Sequence, residues 1–286
     1  MQDFLGRTAV VTGAASGIGF ALCERFAALG MNVVMADVEA AALARAVEAI
    51  GGSGRPVLGV PTDVSRPDAL SNLAERSANA FGPVHVLCNN AGVFAGGLCW
   101  QAPPSDYEWV FGVNVFGIVH ALRSFVPGML AHGEPGHIVN TASMAALTTT
   151  PFTAPYSMSK AAVLSLSETL FLELQSRAAN VGVSVLCPEL VATAIGASER
   201  NRPAHLDRKP GEGDSPEREL VERAIEASTR AGLAPGVLAD RTLAAIRADR
   251  FYVLADDGDP WRVACDARLE DIRAGRNPGS TAVPGA

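Results

Sequence analysis

The sequence has few of the features that mark secreted, nucleic-acid-binding or membrane proteins. Its five cysteines lie far apart, with no Cys-x-x-Cys pair, which fits buried reduced thiols in a cytoplasmic protein better than a disulfide framework. The formal net charge is −7 at pH 7, without a basic stripe, which argues against nucleic acid or an anionic membrane as a partner. The two long uncharged stretches, 84–105 and 135–159, are interrupted by Asn, Gly, Pro, Ser and Thr. Because these residues break up both stretches, we do not expect a membrane span. The N-terminus has no basic segment followed by an apolar one, so we do not expect a signal peptide.

Short β-branched runs alternate with longer helical segments along the chain. The expected strands are Thr8–Thr12, Asn32–Ala36, Val57–Val60, Val84–Cys88, His137–Asn140, Val183–Leu186 and Phe251–Leu254. The expected helices lie near 20–29, 39–50, 67–80, 106–123, 156–178, 235–248 and 261–274. This alternation indicates an α/β protein with a doubly wound (Rossmann) parallel sheet of about seven strands and helices on both faces. We predict a single domain over 1–275, with a substrate-lid insertion at about 190–235, and a disordered tail over 276–286.

A glycine-rich turn follows the first predicted strand and precedes a helix. Its residues are Gly13, Ser16, Gly17, Ile18 and Gly19. Glycines let the backbone approach a pyrophosphate closely, and a helix N-terminus offers unpaired N–H groups and a partial positive charge. The strand before and the helix after favour a dinucleotide site over an ordinary turn.

The second predicted strand ends near an acidic residue, Asp37, 18 residues after Gly19. A carboxylate there can accept hydrogen bonds from both adenine-ribose hydroxyls and would repel a 2′-phosphate. Its neighbours Ser16 and Val38 are not basic, so the sequence predicts NAD as the cofactor. Asp37 could instead cap the helix that begins near Glu39, and the two roles are compatible.

A tyrosine and a lysine four residues apart, Tyr156 and Lys160, share one face of a predicted helix. The pKa of free tyrosine is about 10, too high for a base at neutral pH. Lowering it to about 7 requires roughly 4 kcal/mol of preferential phenolate stabilisation. A lysine charge and a positive nicotinamide ring in a water-poor cleft could provide this. A tyrosine and a lysine at this spacing would also suit a surface contact. Whether the pair is catalytic therefore depends on the other residues of the site.

Further polar residues follow the predicted strands. Ser143 comes after His137–Asn140, and the turn Asn89-Asn90-Ala91-Gly92 comes after Val84–Cys88. Ligands of open α/β sheets bind beyond the carboxyl ends of the strands. We therefore expect Gly13, Asp37, Asn90, Ser143 and Pro188 to meet at one cleft.

These motifs, in this order and spacing, resemble the short-chain dehydrogenase/reductase family over about residues 5–195. The resemblance rests on TGAASGIG, Asp63-Val64, NNAG, Asn114, Ser143, YSMSK and the segment from Pro188 to Thr193. It implies an NAD-preferring oxidoreductase that assembles as a homodimer or homotetramer.

The resemblance also implies roles for individual residues. Tyr156 would exchange a proton with the substrate oxygen, and Ser143 would hydrogen-bond that oxygen. Lys160 would lower the tyrosine pKa and bind the nicotinamide ribose. Asn114 would hold a water in a proton relay, although it could simply bend its helix. The remaining implied cofactor contacts are Asp63, Val64, Asn90, Ala91, Gly92, Pro188, Val191 and Thr193, of which Asp63 could instead cap the next helix.

Two positions depart from the family pattern, and the predicted substrate wall is largely apolar. Pro188-Glu189 replaces the usual Pro-Gly and places a carboxylate near the expected nicotinamide or substrate mouth. Ala142-Ser143 replaces Ser-Ser and keeps the second serine. The wall candidates are Phe94, Trp100, Met144, Leu147, Phe152, Leu190 and Ile195. They suggest a hydrophobic secondary alcohol, aromatic or alicyclic, rather than a sugar. The stretch 261–268 is similar to a subgroup that includes dehydrogenases of benzylic alcohols in lignin-derived aryl ethers.

The five histidines show no metal-ligand spacing, so no metal is expected. Ser143 has no histidine or acid at the spacing of a hydrolase nucleophile. The sequence thus predicts a cytoplasmic dehydrogenase that moves hydride between NAD and a hydrophobic alcohol or ketone. One alternative is an NADP-dependent carbonyl reductase, against which Asp37 argues. Another is a non-catalytic NAD-binding regulatory protein of the same fold, which should lack a catalytic residue.

Overall fold

The computed structural model describes residues 1–52, 54–148 and 150–279. Within these ranges the strands are β1 (Thr8–Thr12), β2 (Asn32–Asp37), β3 (Val57–Pro61), β4 (Val84–Asn89), β5 (Gly136–Thr141), β6 (Val181–Leu186) and β7 (Tyr252–Val253). Of the predicted tail, 276–279 has neither helix nor strand, and 280–286 lies outside the described residues. Every predicted strand is present, with ends shifted by up to two residues.

The predicted helices occur in the predicted order, and one further helix, over 216–230, was not predicted. They are α1 (Gly17–Ala28), α2 (Ala40–Gly51), α3 (Pro67–Phe81), α4 (Pro104–Phe111), α5 (Gly117–His132), α6 (Ala154–Ser176), α7 (Pro216–Arg230), α8 (Pro235–Ala248) and α9 (Pro260–Ala274). A π-helical turn, Gly112–Phe116, joins α4 to α5. The expected lid contains helix α7, whose N-cap Ser215 accepts a hydrogen bond from the backbone N–H of Arg218. Two short 3-10 helices, Ile195–Asn201 and Ala204–Leu206, precede α7.

The strands form one parallel sheet in the order β3-β2-β1-β4-β5-β6-β7. β1 lies inside the sheet, with β2 and β3 on one side of it and β4 to β7 on the other, so the strand order reverses at β1. Val10 of β1 is therefore in register with Val34 of β2 on one side and Leu87 of β4 on the other. The reversal opens a crevice at the carboxyl ends of β1 and β4, which is where ligands of doubly wound sheets bind.

Helices cover both faces of this sheet. On one face, α1, α2 and α8 pack against alternate strand residues, with Val11 among the buried side chains. On the other, α3, α5 and α6 pack around Val10. Because both faces are covered, all five residues of β1 are buried, and its centre, Ala9-Val10-Val11, is apolar throughout rather than alternating.

The run Pro104–His132 is long and apolar enough to cross a membrane by length and composition. In this fold it has a buried face, with Trp109, Val110, Ile118 and Phe125 among its buried residues. The α5 part packs against the sheet and the α4 part against the loop after β4, and this packing accounts for the apolar composition.

Candidate active site

A cavity of about 400 Å³ lies at the carboxyl ends of the central strands. The predicted site residues that line it are Gly13, Ser16, Gly17, Ile18, Asp37, Asp63, Val64, Asn90, Ala91, Gly92, Ser143, Tyr156, Lys160, Pro188, Val191 and Thr193. Two predicted residues, Gly19 and Asn114, are buried and do not line the cavity. The structure thus brings together residues separated by up to 180 positions, because strand ends of a parallel sheet meet at one edge.

The glycine turn has the shape that a diphosphate requires. Gly13 and Gly17 have φ angles of +63° and +56°, which non-glycine residues rarely adopt. A Cβ on Gly13 would lie 2.9 Å from Ala91 Cα, and one on Gly19 would lie 2.1 Å from the carbonyl oxygen of Gly13. The side chain of Ser16 makes no capping hydrogen bond at the start of α1. The first N–H groups of this helix therefore stay available to an anion, which fits a bound dinucleotide.

Asp37 holds the glycine turn and the start of α2 together. Its Oδ2 accepts a hydrogen bond from the backbone N–H of Ala15 at 3.0 Å, and its Oδ1 accepts one from Glu39 N–H at 3.0 Å. The local role considered from the sequence therefore exists, although the N-cap position itself is Glu39. Each carboxylate oxygen has a second lone pair for a ribose hydroxyl, so both roles fit the geometry.

Asp63 also makes a local turn. Its Oδ1 accepts hydrogen bonds from the Ser65 backbone N–H at 3.0 Å and from Ser65 Oγ at 2.7 Å. Helix α3 begins two residues later, at Pro67, with Arg66 as its N-cap. Asp63 is therefore not the helix cap itself, and together with Val64 it lines the part of the cavity beyond β3.

Tyr156 and Lys160 lie one turn apart on α6, and Ser143 follows β5. Lys160 is only 2% exposed; its Nζ donates a hydrogen bond to the Thr141 carbonyl oxygen at 2.9 Å. That Nζ lies 5.6 Å from the centroid of the Tyr156 ring. Ser143 Oγ accepts a hydrogen bond from Ala145 N–H at 3.1 Å. The three side chains share one crevice, which is the arrangement that proton exchange with a substrate oxygen requires.

Burial dominates the electrostatics of this group. It raises the pKa of Tyr156, and a hydrogen bond with Ser143 offsets part of that rise. Burial also lowers the pKa of Lys160 to about 8. The sequence led us to expect a lowered tyrosine pKa, and in the protein alone the direction is opposite. The reason is that burial removes the water that would stabilise a phenolate, and this effect outweighs the hydrogen bond with Ser143.

Asn114 lies in the π-helical turn, and both ends of its amide hydrogen-bond protein groups. Oδ1 accepts a hydrogen bond from Val93 N–H at 2.9 Å, while Nδ2 donates to the Val93 carbonyl oxygen at 3.0 Å and to Ser159 Oγ at 2.9 Å. Ser159 Oγ in turn donates to the Tyr156 carbonyl oxygen. Asn114 therefore ties the loop after β4 to the helix that carries the tyrosine. Its expected water-relay role remains a prediction.

The predicted substrate wall is partly wrong. Phe94, Leu190 and Ile195 line the cavity. Trp100 does not, since it is 75% exposed, and Met144 is 0% exposed within the core beneath the sheet edge. Leu147 packs against that same core, and Phe152 also lies off the cavity. Alternation of apolar residues cannot tell core, surface and pocket apart, because loop backbones set the side-chain directions.

Further residues line the cavity as a whole. Those not predicted from the sequence include Val93, Trp109, Val113, Thr150, Thr153, Ser198, Arg200, Asn201, Ile225, Thr229 and Trp261. Several belong to the lid, whose fold has no periodic signal before α7. Trp261 stands in the C-terminal stretch similar to the benzylic-alcohol dehydrogenases, and that similarity was the signal that could have found it.

Glu189 lines the cavity, so the structure does place a carboxylate there, and one of its two oxygens is paired. Its side chain is 5% exposed, and Oε1 accepts a hydrogen bond from Arg241 Nη1 at 2.7 Å. Arg241, in α8, also pairs with Asp256. Arg241 therefore balances the charge of Glu189, while Glu189 Oε2 has no hydrogen-bond partner among the described residues.

The lid is anchored through one buried carboxylate. Asp106 of α4 is 0% exposed and accepts hydrogen bonds from Arg202, Arg208 and Arg218 of the lid. Burial pushes the pKa of Asp106 upward, but hydrogen bonds from Arg218 and Arg208 push it further down, below its usual value. Arg202 also lies over the Trp109 ring, 4.3 Å from its centroid. This cluster fixes the lid against the rim of the cavity.

His85, His132 and Glu134 approach one another closely enough to suggest a metal site among the described residues. Hydrogen bonds argue against it. Thr8 N–H donates to Nδ1 of His85 at 3.1 Å, and Glu134 N–H donates to Nδ1 of His132 at 3.1 Å. In each neutral ring the proton then sits on Nε2, which faces Glu134 Oε2 and the Val84 carbonyl oxygen respectively. With these hydrogen bonds in place, neither ring has a free lone pair for a metal, and the absence of a metal stays a prediction.

A doubly wound sheet with a glycine turn, an acid after β2 and a serine–tyrosine–lysine group in one cavity defines a Rossmann-type oxidoreductase. The sequence matches the short chain dehydrogenase family over residues 7–204. The protein belongs to this family.

Known proteins with similar sequences or structures include several dehydrogenases. The 1-deoxy-11-beta-hydroxypentalenate dehydrogenase of Streptomyces arenae is 37% identical over 261 residues, 90% of this chain and 85% of that protein. The C alpha-dehydrogenase of Sphingobium sp. strain SYK-6 is 32% identical over 255 residues, 89% of this chain and 82% of that protein. A short chain dehydrogenase/reductase from Burkholderia phymatum, crystallised in complex with NAD, superposes with a TM-score of 0.94 at 43% identity, over 98% of this chain and 99% of that one.

Proposed function

We propose that this protein is an NAD-dependent alcohol dehydrogenase acting on a hydrophobic secondary alcohol or its ketone. The observation that carries the proposal is that Tyr156, Ser143 and Lys160 line the same cavity as the glycine turn and Asp37. A proton-exchanging group, a hydroxyl to hold the substrate oxygen and a dinucleotide cradle then meet in one place.

Each residue has a chemical task in this proposal. Bound oxidised nicotinamide would accept the hydride from the carbinol carbon and place a positive charge near the phenol. Ser143 Oγ hydrogen-bonds the substrate oxygen, and the Tyr156 phenolate takes the hydroxyl proton as the carbonyl forms. Lys160, held by the Thr141 carbonyl oxygen, supplies a further positive charge that favours the phenolate. In the ketone direction the same groups act in reverse.

The cofactor and substrate assignments rest on charge and polarity. Asp37 and the non-basic Val38 favour a free ribose 2′-hydroxyl over a 2′-phosphate, and the similar Burkholderia phymatum protein was crystallised with NAD. The apolar lining, which includes Phe94, Trp109 and Trp261, suits an aromatic or alicyclic substrate.

We further propose a cytoplasmic homodimer or homotetramer. The outer face of α6 carries exposed, uncharged side chains: Met158, Ala161, Ser165, Thr169 and Leu172. Phe116, beside the start of α5, is 52% exposed. Uncharged faces with exposed apolar residues such as Met158 and Leu172 are suited to contact between subunits, and the molar mass in solution, measured by light scattering, tests the oligomeric state.

The direct test is NADH formation across a panel of aromatic, alicyclic, aliphatic and polyol alcohols, with NAD and NADP compared. We expect turnover with NAD and apolar secondary alcohols. Tyr156→Phe should bind NADH normally but lose about 10²- to 10⁴-fold in kcat, the usual contribution of a positioned acid or base. Activity only on polyols would refute the substrate class, and a preference for NADP would favour a carbonyl reductase. Dinucleotide binding without turnover of any alcohol or ketone would favour a regulatory protein.

A further inference from the structure

The first turn of the lid contacts the loop between β2 and α2. Arg200, in the 3-10 helix Ile195–Asn201, donates from Nε at 3.0 Å and from Nη2 at 2.7 Å to the same oxygen, Glu39 Oε1. Asn201 Nδ2 donates to that oxygen at 3.0 Å. Residues 161 positions apart thus meet at the cavity rim, two residues after Asp37.

The guanidinium of Arg200 is positioned independently of Glu39. Its Nη1 donates to the carbonyl oxygens of Ala194 at 3.2 Å and Ala197 at 2.7 Å, within its own turn. Removal of the Glu39 charge would therefore leave a fixed cation in the same place. A planar guanidinium with two free N–H groups is the arrangement that binds a phosphate group in a bidentate manner.

The location matters because Asp37, Val38, Glu39, Arg200 and Asn201 all line the cavity. This is the region where the adenine ribose of a dinucleotide would lie beside Asp37. The positively charged residues among the described cavity lining are Arg200 and Lys160, and Lys160 belongs to the tyrosine group. Arg200 is thus the cation available to a 2′-phosphate.

We propose that Glu39 is a cofactor-selectivity residue that occupies Arg200 and so excludes the 2′-phosphate of NADP. Glu39 does this in two ways: it neutralises the guanidinium and adds a second negative charge beside Asp37. The inference deepens the proposed function, since it requires a dinucleotide in this cavity. It assigns selectivity to a contact between the lid and the cofactor edge, in addition to the acid after β2.

The test measures binding of NADH and NADPH by fluorescence titration, without turnover. In Glu39→Gln the amide oxygen can still accept from Asn201 and Arg200, but without the charge it holds the guanidinium less strongly than a carboxylate does. We expect NADPH affinity to rise by about tenfold and NADH affinity to change by less than about threefold. The double variant Glu39→Gln/Arg200→Gln should lose the gain for NADPH. Asp240→Asn is the matched control, because it removes one charge from the exposed pair with Arg25, and it should change neither affinity.

The outcomes separate this inference from the proposed function. Unchanged NADPH affinity in folded Glu39→Gln, with NADH still bound, would overturn the role of Glu39 and leave the dehydrogenase proposal intact. An equal NADPH gain in the double variant would overturn the role of Arg200. Failure of the unmodified protein to bind either dinucleotide would overturn the proposed function itself. Circular dichroism of each variant checks that the fold is retained.

Discussion

The buried carboxylate of Asp106 is the residue whose removal should loosen the lid most. Asp106→Asn would leave Arg202 and Arg218, 3% and 4% exposed, without their common counter-ion. Breaking a buried ion pair by removing one partner costs about 3–5 kcal/mol. The three bonds do not simply add, because Arg202 and Arg208 keep Glu199, and Arg218 keeps the Gly213 carbonyl oxygen. We therefore expect a loss near the lower end, about 3 kcal/mol.

The loss should fall mainly on the lid, because Asp106 joins α4 to segments that make few other buried contacts. Hydrogen exchange of residues 199–218 should accelerate by about 100-fold, as about 3 kcal/mol implies. Exchange in β1 and β4 should change far less. Arg208→Gln, which removes one donor of three at a partly exposed position, should give a smaller acceleration in the same segment. The exposed pair formed by Asp240 provides the control, since Asp240→Asn should cost less than about 1 kcal/mol.

Unchanged exchange over 199–218 in a folded Asp106→Asn protein would refute this reasoning. It would mean that apolar packing, rather than the arginine cluster, holds the lid. Uniform acceleration across the whole chain would also contradict it, since Asp106 would then support the core rather than the lid.

Two further predictions concern stability at low pH and cofactor binding. Burial lowers the pKa of His137 to about 3, so the folded protein keeps this ring neutral. Because the unfolded chain binds a proton there below about pH 6.5, the free energy of unfolding decreases as pH falls from about 6.5 toward 3. Linkage gives a loss in the free energy of unfolding of about 2–3 kcal/mol at pH 4.5. In His137→Gln the urea midpoints at pH 7 and pH 4.5 should therefore lie closer together than in the unmodified protein. An unchanged difference would contradict this. Gly19→Ala should weaken NADH binding by at least about tenfold, because its Cβ would lie 2.1 Å from the Gly13 carbonyl oxygen. Gly51→Ala, whose Cβ would have its nearest neighbour at 3.9 Å, should leave binding unchanged, and equal effects of the two would refute the steric argument.

Several features of the fold were readable from local sequence alone. The apolar runs of the strands and the glycine turn are each encoded within a few neighbouring residues. Strand ends of a parallel sheet meet at one edge whatever the loops do. For that reason the placement of Asp37, Ser143 and Tyr156 at one cavity followed from their positions after strands and on a helix.

The remaining features depend on contacts between distant segments. Nothing in the sequence near Glu39 indicates that Arg200 lies against it, or that three lid arginines meet Asp106. The predicted wall was wrong at Trp100 and Met144 for the same reason, since an apolar residue in a loop points to core, cavity or solvent according to the backbone around it.

The tyrosine group combines one feature that local sequence sets with another that the tertiary structure sets. The spacing of Tyr156 and Lys160 is a property of the helix and could be read from the sequence. The direction of their pKa shifts could not, because it depends on how completely the folded chain excludes water from the two side chains. The sequence by itself determined the order of the elements and the chemistry at the strand ends. The tertiary structure decided burial and lid packing, because both are set by residues far apart in the chain.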